Sequence, residues 1–137
     1  MLDLIKPMLV AASGMRAQSE RMKVISENIA NANSTPETPE GDPYRRQIPT
    51  FRAQLDRELG VKLVSMPKTV ADDKDFGMRY DPSHPAADEK GYVKLPNVNT
   101  LIESMDMREA QKSYEANLNV IDSMRRMMSR TIELLRA

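Results

Sequence analysis

The stretch from Asn99 to Leu135 limits the possible folds more than any other. It places Met107, Ala110, Tyr114, Asn117, Ile121, Met124, Met128, Thr131 and Leu135 at alternating three- and four-residue steps, the spacing of a seam between helices. Val120, Met127 and Leu134 widen the apolar face on one flank, and Leu118 and Ile132 widen it on the other. Arg108, Lys112, Glu115, Asn119, Asp122, Arg126, Ser129 and Glu133 form the opposite, polar side. A two-stranded coil needs only the narrow seam, so a face this wide predicts a helix that touches several others. Pro96 blocks any helix running in from upstream, and Thr100 with Glu103 reads as a capping box. A helix from Asn99 onward would be on the order of 50 Å long, against a radius of gyration of about 14 Å for a compact chain of this length. Its apolar face is expected to need partners outside the chain.

Residues 3–32 repeat the pattern. Leu4, Met8, Ala11, Met15, Gln18, Met22, Ile25 and Ile29 alternate four and three, and a second row of Val10, Ala17 and Val24 lies around the cylinder. Asp3 can cap the start, and Pro7 is near enough to the first turn to be tolerated. Gly14 reads either as a place where a neighbouring helix comes close or as a weak spot costing up to about 1 kcal/mol.

Between the helices the texture changes. Eight of the nine prolines and four of the five glycines lie from Ser34 to Pro96, which excludes long helix there. Tyr44–Phe51, Val61–Met66, Gly77–Tyr80 and Tyr92–Leu95 read as short strands, with 52–59 open between strand and helix. The expected fold class is mainly α with a small β insertion. Its N-terminal helix (1–33) and C-terminal helix (99–137) pair as a coiled-coil-like stem around a Pro/Gly-rich insertion of short strands and extended segments (34–98).

Composition excludes several functions. Lys and Arg equal Asp and Glu at 20 each, which leaves no basic surplus for nucleic acid and no net charge to oppose self-association. There is no cysteine, hence no thiolate zinc site, thiol nucleophile or disulfide. The 11 methionines suit either contacts with non-identical neighbours or ordinary core filling. No apolar run is long enough to span a bilayer, and a cleaved secretory signal is not recognisable. The single histidine, His84, sits in a Pro-bracketed turn. Metal binding with Asp81 and Asp88, or a nucleophile pair with Ser83, is set against a simple turn histidine, and the turn is favoured. Tyr44-Arg45-Arg46 is expected to keep a strand edge soluble rather than to grip acidic neighbours, and Asp72-Asp73-Lys74-Asp75 to be a solvated turn. No catalytic site, cofactor site, metal site or small-molecule substrate is expected.

Two groups of motifs carry a resemblance. Ala12-Ser13-Gly14-Met15-Arg16-Ala17-Gln18, Arg21-Met22 and Ile25-Ser26-Glu27-Asn28-Ile29-Ala30-Asn31-Ala32-Asn33 resemble the N-terminal signature of bacterial flagellar rod and hook axial proteins. Tyr80-Asp81-Pro82-Ser83-His84-Pro85, Asp88, Gly91-Tyr92-Val93, Pro96-Asn97-Val98-Asn99, Met105-Asp106-Met107, Glu109-Ala110, Tyr114 and Ala116-Asn117 are similar to one branch of that family. Ser34-Thr35-Pro36 replaces the Thr-Gly-Tyr of many relatives, with Tyr44-Arg45-Arg46 farther on, which sets the chain apart from distal-rod and hook branches. Gln111-Lys112-Ser113 stands where the branch often shows Ser-Arg.

The resemblance implies a structural subunit of the flagellar basal-body rod, exported through the flagellar type III apparatus without a cleaved signal and polymerised in the periplasm. The terminal helices would form a tube around the export channel and transmit torque. The implied partners are copies of itself, other rod proteins, the basal-body protein FliE and the export apparatus. The expected assembly residues are Met8, Met15, Met22, Ile25, Ile29, Met107, Tyr114, Ile121, Met124, Met128 and Leu135. The motif residues are Asn28, Ala30, Asn31, Tyr44, Tyr80, Asp81, Pro82, His84, Pro85, Gly91, Tyr92, Pro96, Asn97 and Asn99. The seam pattern alone also permits a cytosolic helical adaptor or chaperone-like binder that takes a partner helix into a Met-rich groove.

Overall fold

The computed structural model describes residues 2–137. Helix α1 spans Leu2–Ala30 and helix α2 spans Thr100–Arg136. Between them lie β1 (Gln47–Pro49), β2 (Arg52–Asp56), β3 (Val61–Ser65), β4 (Thr69–Ala71), β5 (Gly77–Tyr80) and β6 (Tyr92–Leu95). The strands form three separate antiparallel ribbons, β1–β4, β2–β3 and β5–β6. Two-stranded ribbons are marginal alone, so each depends on the helix or loops it packs against.

The open segment 52–59 becomes β2 and its turn. Asp56 pairs with Val61, and its Oδ1 accepts the N–H groups of Glu58 (3.0 Å) and Leu59 (3.1 Å). Gly60 closes the turn at φ 67°, a conformation that favours a residue without Cβ. β4, which the sequence pattern did not mark, is a three-residue strand defined by pairing with β1 in the register Gln47↔Ala71.

The ends of the helices differ from expectation. α2 is capped by Asn99, whose Oδ1 accepts from the N–H groups of Leu101 (3.1 Å) and Ile102 (3.3 Å); Thr100 and Glu103 form no capping box because the Glu103 carboxylate is used elsewhere. Asp3 lies inside the first turn of α1 rather than at its cap, where its charge suits the positive end of the helix dipole.

The chain divides into two compact units. One comprises Met1–Met22, Thr50–Lys68 and Arg108–Ala137, and the other Lys23–Pro49 and Thr69–Met107. In the first unit, β2–β3 is tied to α1 through Ser13, whose Oγ donates to Val10 O (2.7 Å) and accepts the Val64 N–H (3.1 Å). Ala11, Ala17 and Ala110 are buried side chains of this unit. In the second unit Val24, Ile25, Ala32, Ala86 and Val93 are buried together with Asn28, Asp72 and Glu103.

Gly14 is a site of close approach. A Cβ there would lie 2.7 Å from Asn117 Nδ2 and 3.2 Å from its Cγ. Gly14→Ala alone should therefore fail to gain the roughly 1 kcal/mol of helix propensity that Ala offers. In an Asn117→Ala background the same change should recover most of it, and urea unfolding of the four variants measures the difference.

Candidate assembly surface

The second unit is organised by a buried polar cluster. Glu103 is fully buried, and Arg46 meets it through an Nε–Oε1 ion pair. Arg46 also reaches Asp72 (3.3 Å) and Asp106 (3.7 Å). On the α1 side, Asn28 Nδ2 donates to Gln47 O (2.8 Å) and Glu103 Oε2 (3.3 Å). Asn28 Oδ1 accepts from Tyr44 Oη (2.7 Å) and the Gln47 N–H (3.0 Å). Asn97 Oδ1 accepts the Arg46 N–H at 2.7 Å, and its Nδ2 donates to the carbonyls of Asp72 and Lys74, both at 3.0 Å. Among the described residues no buried side-chain polar atom lacks a partner. This completeness lets charges sit inside a small protein, since an unpaired one would be expelled or neutralised.

Two sequence expectations are corrected here. Arg46 does not serve to keep an edge soluble; it is gripped by three carboxylates. Arg45 lies over the Phe76 ring at 4.3 Å and donates to Asp72 O. The run from Asp72 is not wholly solvated either, because Asp72 is buried and takes the Lys74 N–H at 3.0 Å. The signal for Glu103 was present in the sequence. Stepping back four from Met107 along the seam lands on a carboxylate at an apolar position, which demands a cation from elsewhere.

The cluster shifts its own titrations. The Lys74 N–H, working against burial and aided by Arg46, holds the Asp72 carboxyl below its ordinary range. Burial, then the charges of Glu27 and Glu103, push the Tyr44 phenol up. Burial disfavours the Arg46 charge, but Glu103 and Asp72 outweigh it and hold the guanidinium above its usual range. A depressed carboxyl stabilises the fold fully above its unfolded value of about 4 and loses that contribution as pH falls through the lower folded value. A raised phenol contributes below about 10 and loses its contribution as pH climbs through the folded value. Asp72→Asn should flatten the acid limb of a stability–pH curve and Tyr44→Phe the alkaline limb, as read by chemical unfolding across pH.

The remaining motif residues shape turns. Ala30 ends α1, and Asn31 Nδ2 donates to Glu27 O at 2.8 Å. Tyr80 and Tyr92 face each other across the β5–β6 ribbon, edge to face at 5.4 Å. Asp81 N–H donates to Gly91 O at 2.9 Å. Gly91, at φ 85°, lies where a Cβ would come within 3.1 Å of Pro82. His84 Nδ1 accepts the Ala86 N–H (3.0 Å), which leaves the ring proton on Nε2 for Thr35 Oγ1 (3.1 Å). Pro85 is exposed and Pro96 buried. No group of three or more His, Cys, Asp or Glu among the described residues is placed to hold a metal ion.

The expected assembly residues differ in exposure. Ile25 is buried to 1% exposure. Met8, Met15, Met22, Ile29, Met107, Tyr114, Ile121, Met124 and Met128 are half-buried, and Leu135 is exposed. Outside lie the flanks, Leu118, Val120, Met127, Ile132 and Leu134, all exposed. Every residue from Ser129 to Ala137 is exposed, with Leu134 at 78% and Leu135 at 79%. The eight polar-face residues are exposed too, so apolar flanks and a charged side alternate around α2. No helix among the described residues is long and apolar enough to cross a membrane.

Comparison with known proteins gives the same direction. A family profile described as "Flagella basal body rod protein" matches residues 8–36, and one described as "Flagellar basal body rod FlgEFG protein C-terminal" matches residues 89–134. The flagellar basal-body rod protein FlgC of Agrobacterium fabrum is 53% identical over 128 residues, covering 93% of this chain and 92% of the relative. FlgC of Borreliella burgdorferi is 38% identical over 98% of this chain and 99% of the relative. FlgC of Aquifex aeolicus is 36% identical over 97% and 98%.

Proposed function

The chain belongs to the FlgC family of flagellar basal-body rod proteins, and on that premise we propose that it is a structural, non-enzymatic subunit of the basal-body rod. The observation that carries the proposal is the apolar surface left bare on α2, ending in Leu134 and Leu135. Burial of one such side chain contributes about 1.5–3 kcal/mol, and in a lone chain that contribution is forgone. Family membership disfavours the cytosolic adaptor reading, which rested on the seam pattern alone.

In finer terms, residues 1–33 and 99–137 form a coiled-coil-like stem that polymerises into the wall of an axial tube, with 34–98 as its insertion. The half-buried seam residues and the exposed flanks supply the packing between subunits, and Ile25 acts within its own chain. The tube surrounds the export channel and carries motor torque to the hook. Its subunits leave the cytosol through the flagellar type III apparatus, assemble in the periplasm, and contact other rod proteins and FliE.

Deletion of the gene should abolish motility and leave basal bodies without a complete rod. A version ending after Met128 should fail to restore either. Motile deletion cells would refute the proposal.

A further inference from the structure

The β2–β3 ribbon leaves one strand edge bare, and the phase of that edge is fixed. Val64, which stands opposite Ala53, turns its N–H away from β2 to the Ser13 hydroxyl. In an antiparallel ladder, pairs that exchange hydrogen bonds alternate with pairs that do not. Ala53–Val64 and Leu55–Lys62 are therefore non-bonded pairs, and Gln54–Leu63 between them is a bonded one. The N–H and C=O groups of Ala53 and Leu55 consequently point out of the ribbon, and both residues are exposed. β2 has no bulge in its register with β3 and no proline, two of the devices that blunt an edge. We propose that β2 pairs antiparallel with β2 of a second copy, Gln54 facing the second copy's Gln54, to make a four-stranded sheet.

The edge is complementary to itself in this register on two counts. Ala53 meets the second copy's Leu55, so outward-pointing backbone groups meet outward-pointing groups, and each such pair exchanges both its bonds. On the other face of the sheet Arg52 falls opposite the second copy's Asp56 at both ends, the opposite-charge arrangement that stabilises a cross-strand pair. Sliding the register by two residues either way keeps the backbone phase. It leaves only three of the five residues of each strand paired, however, and takes Arg52 away from Asp56. A foreign strand would have to supply this pattern, whereas a second copy carries it by construction. The chain has no net charge, so copies do not repel one another at long range.

The pair is isologous and closes on itself instead of propagating, and it makes no use of the terminal helices. With five residues per strand it belongs among small, transient interfaces and forms in concentrated solution. It goes beyond the rod-subunit reading and does not rest on it: in the free chain it covers an edge that would otherwise template indiscriminate strand pairing.

Because the chain has no cysteine, one introduced thiol reports on one position. Full-length Ala53→Cys, Gln54→Cys and Leu55→Cys are purified, checked for unchanged circular dichroism, and oxidised in concentrated solution. A disulfide requires Cα atoms within roughly 7 Å. Facing residues of a non-bonded pair stand about 4.5 Å apart, so Gln54→Cys alone should give a cross-linked dimer. Leu55→Cys alone should give about fivefold less, because the two Leu55 positions are offset by two residues along the strands and lie beyond that limit. Its mixture with Ala53→Cys should cross-link. Ala53→Pro, added to Gln54→Cys, removes an N–H that points out of the ribbon, a position where an edge strand tolerates proline. It should cut the yield about fivefold. Arg52→Asp, an exposed substitution that sets like charges opposite one another, should cut it roughly two- to fivefold. Equal yields from Gln54→Cys and Leu55→Cys would show random collision and overturn the proposal. A Gln54→Cys chain that does not cross-link, or whose yield survives both Ala53→Pro and Arg52→Asp, would overturn it equally.

Discussion

Replacing Arg46 by Met lowers the unfolding free energy of the chain by about 3–5 kcal/mol, the cost of stripping a buried ion pair of one partner. Met keeps most of the stem's volume, so the loss is electrostatic rather than a cavity. The Glu103 side chain is 1% exposed and Asp72 9%, so neither carboxylate can turn to water when the guanidinium goes. The Asn28 amide still donates to Glu103, but one neutral donor does not replace a cation. Asp106 provides the control. It is 35% exposed and 3.7 Å from Arg46, and Asp106→Asn should cost within about 1 kcal/mol, as surface pairs do. Replacing Arg46 and Glu103 together by apolar residues should cost less than Arg46→Met alone, because no orphaned charge remains. Urea unfolding followed by circular dichroism measures all three. A small loss for Arg46→Met would mean that the cluster is wet and does not hold the second unit together.

The second large effect belongs to α2. Ile121 lies on its half-buried face and Asn119 is exposed two residues away. Ile121→Asp should cost several kcal/mol by placing an unpaired carboxylate among apolar neighbours, and cells carrying it should be non-motile. Asn119→Asp adds the same charge to the polar face and should change stability by less than about 0.5 kcal/mol. Similar losses from both would contradict the helix phase that separates the buried face from the polar one.

The helices were legible because periodicity reports which face is apolar, and α2 runs from Thr100 to Arg136 close to the stretch marked by its heptads. The ribbons were half legible. β3 and β6 contain strand-forming residues and β5 ends on one, Tyr80, whereas β4 is defined only by its pairing with β1, a long-range relation that a three-residue segment does not announce. The polar cluster was the least legible part, since Asn28, Arg46, Asp72, Asn97 and Glu103 come from five places in the chain. Local rules gave Arg46 and Asp72 to solvent and Glu103 to a cap. Each would be reasonable in isolation, and each is overruled by a partner dozens of residues away. Gly14 is similar: a single sequence leaves it ambiguous, and Asn117 against its backbone resolves it.

The most direct measurement is electron cryomicroscopy of basal bodies isolated from two strains, one with this chain intact and one with its gene deleted. The account predicts that the intact rod contains this chain with α1 and α2 in its wall and the bare flanks of α2 covered by neighbouring subunits, and that the deleted strain lacks a complete rod. A complete rod of unchanged density in the deleted strain, or flanks of α2 facing open solvent in the intact one, would contradict it.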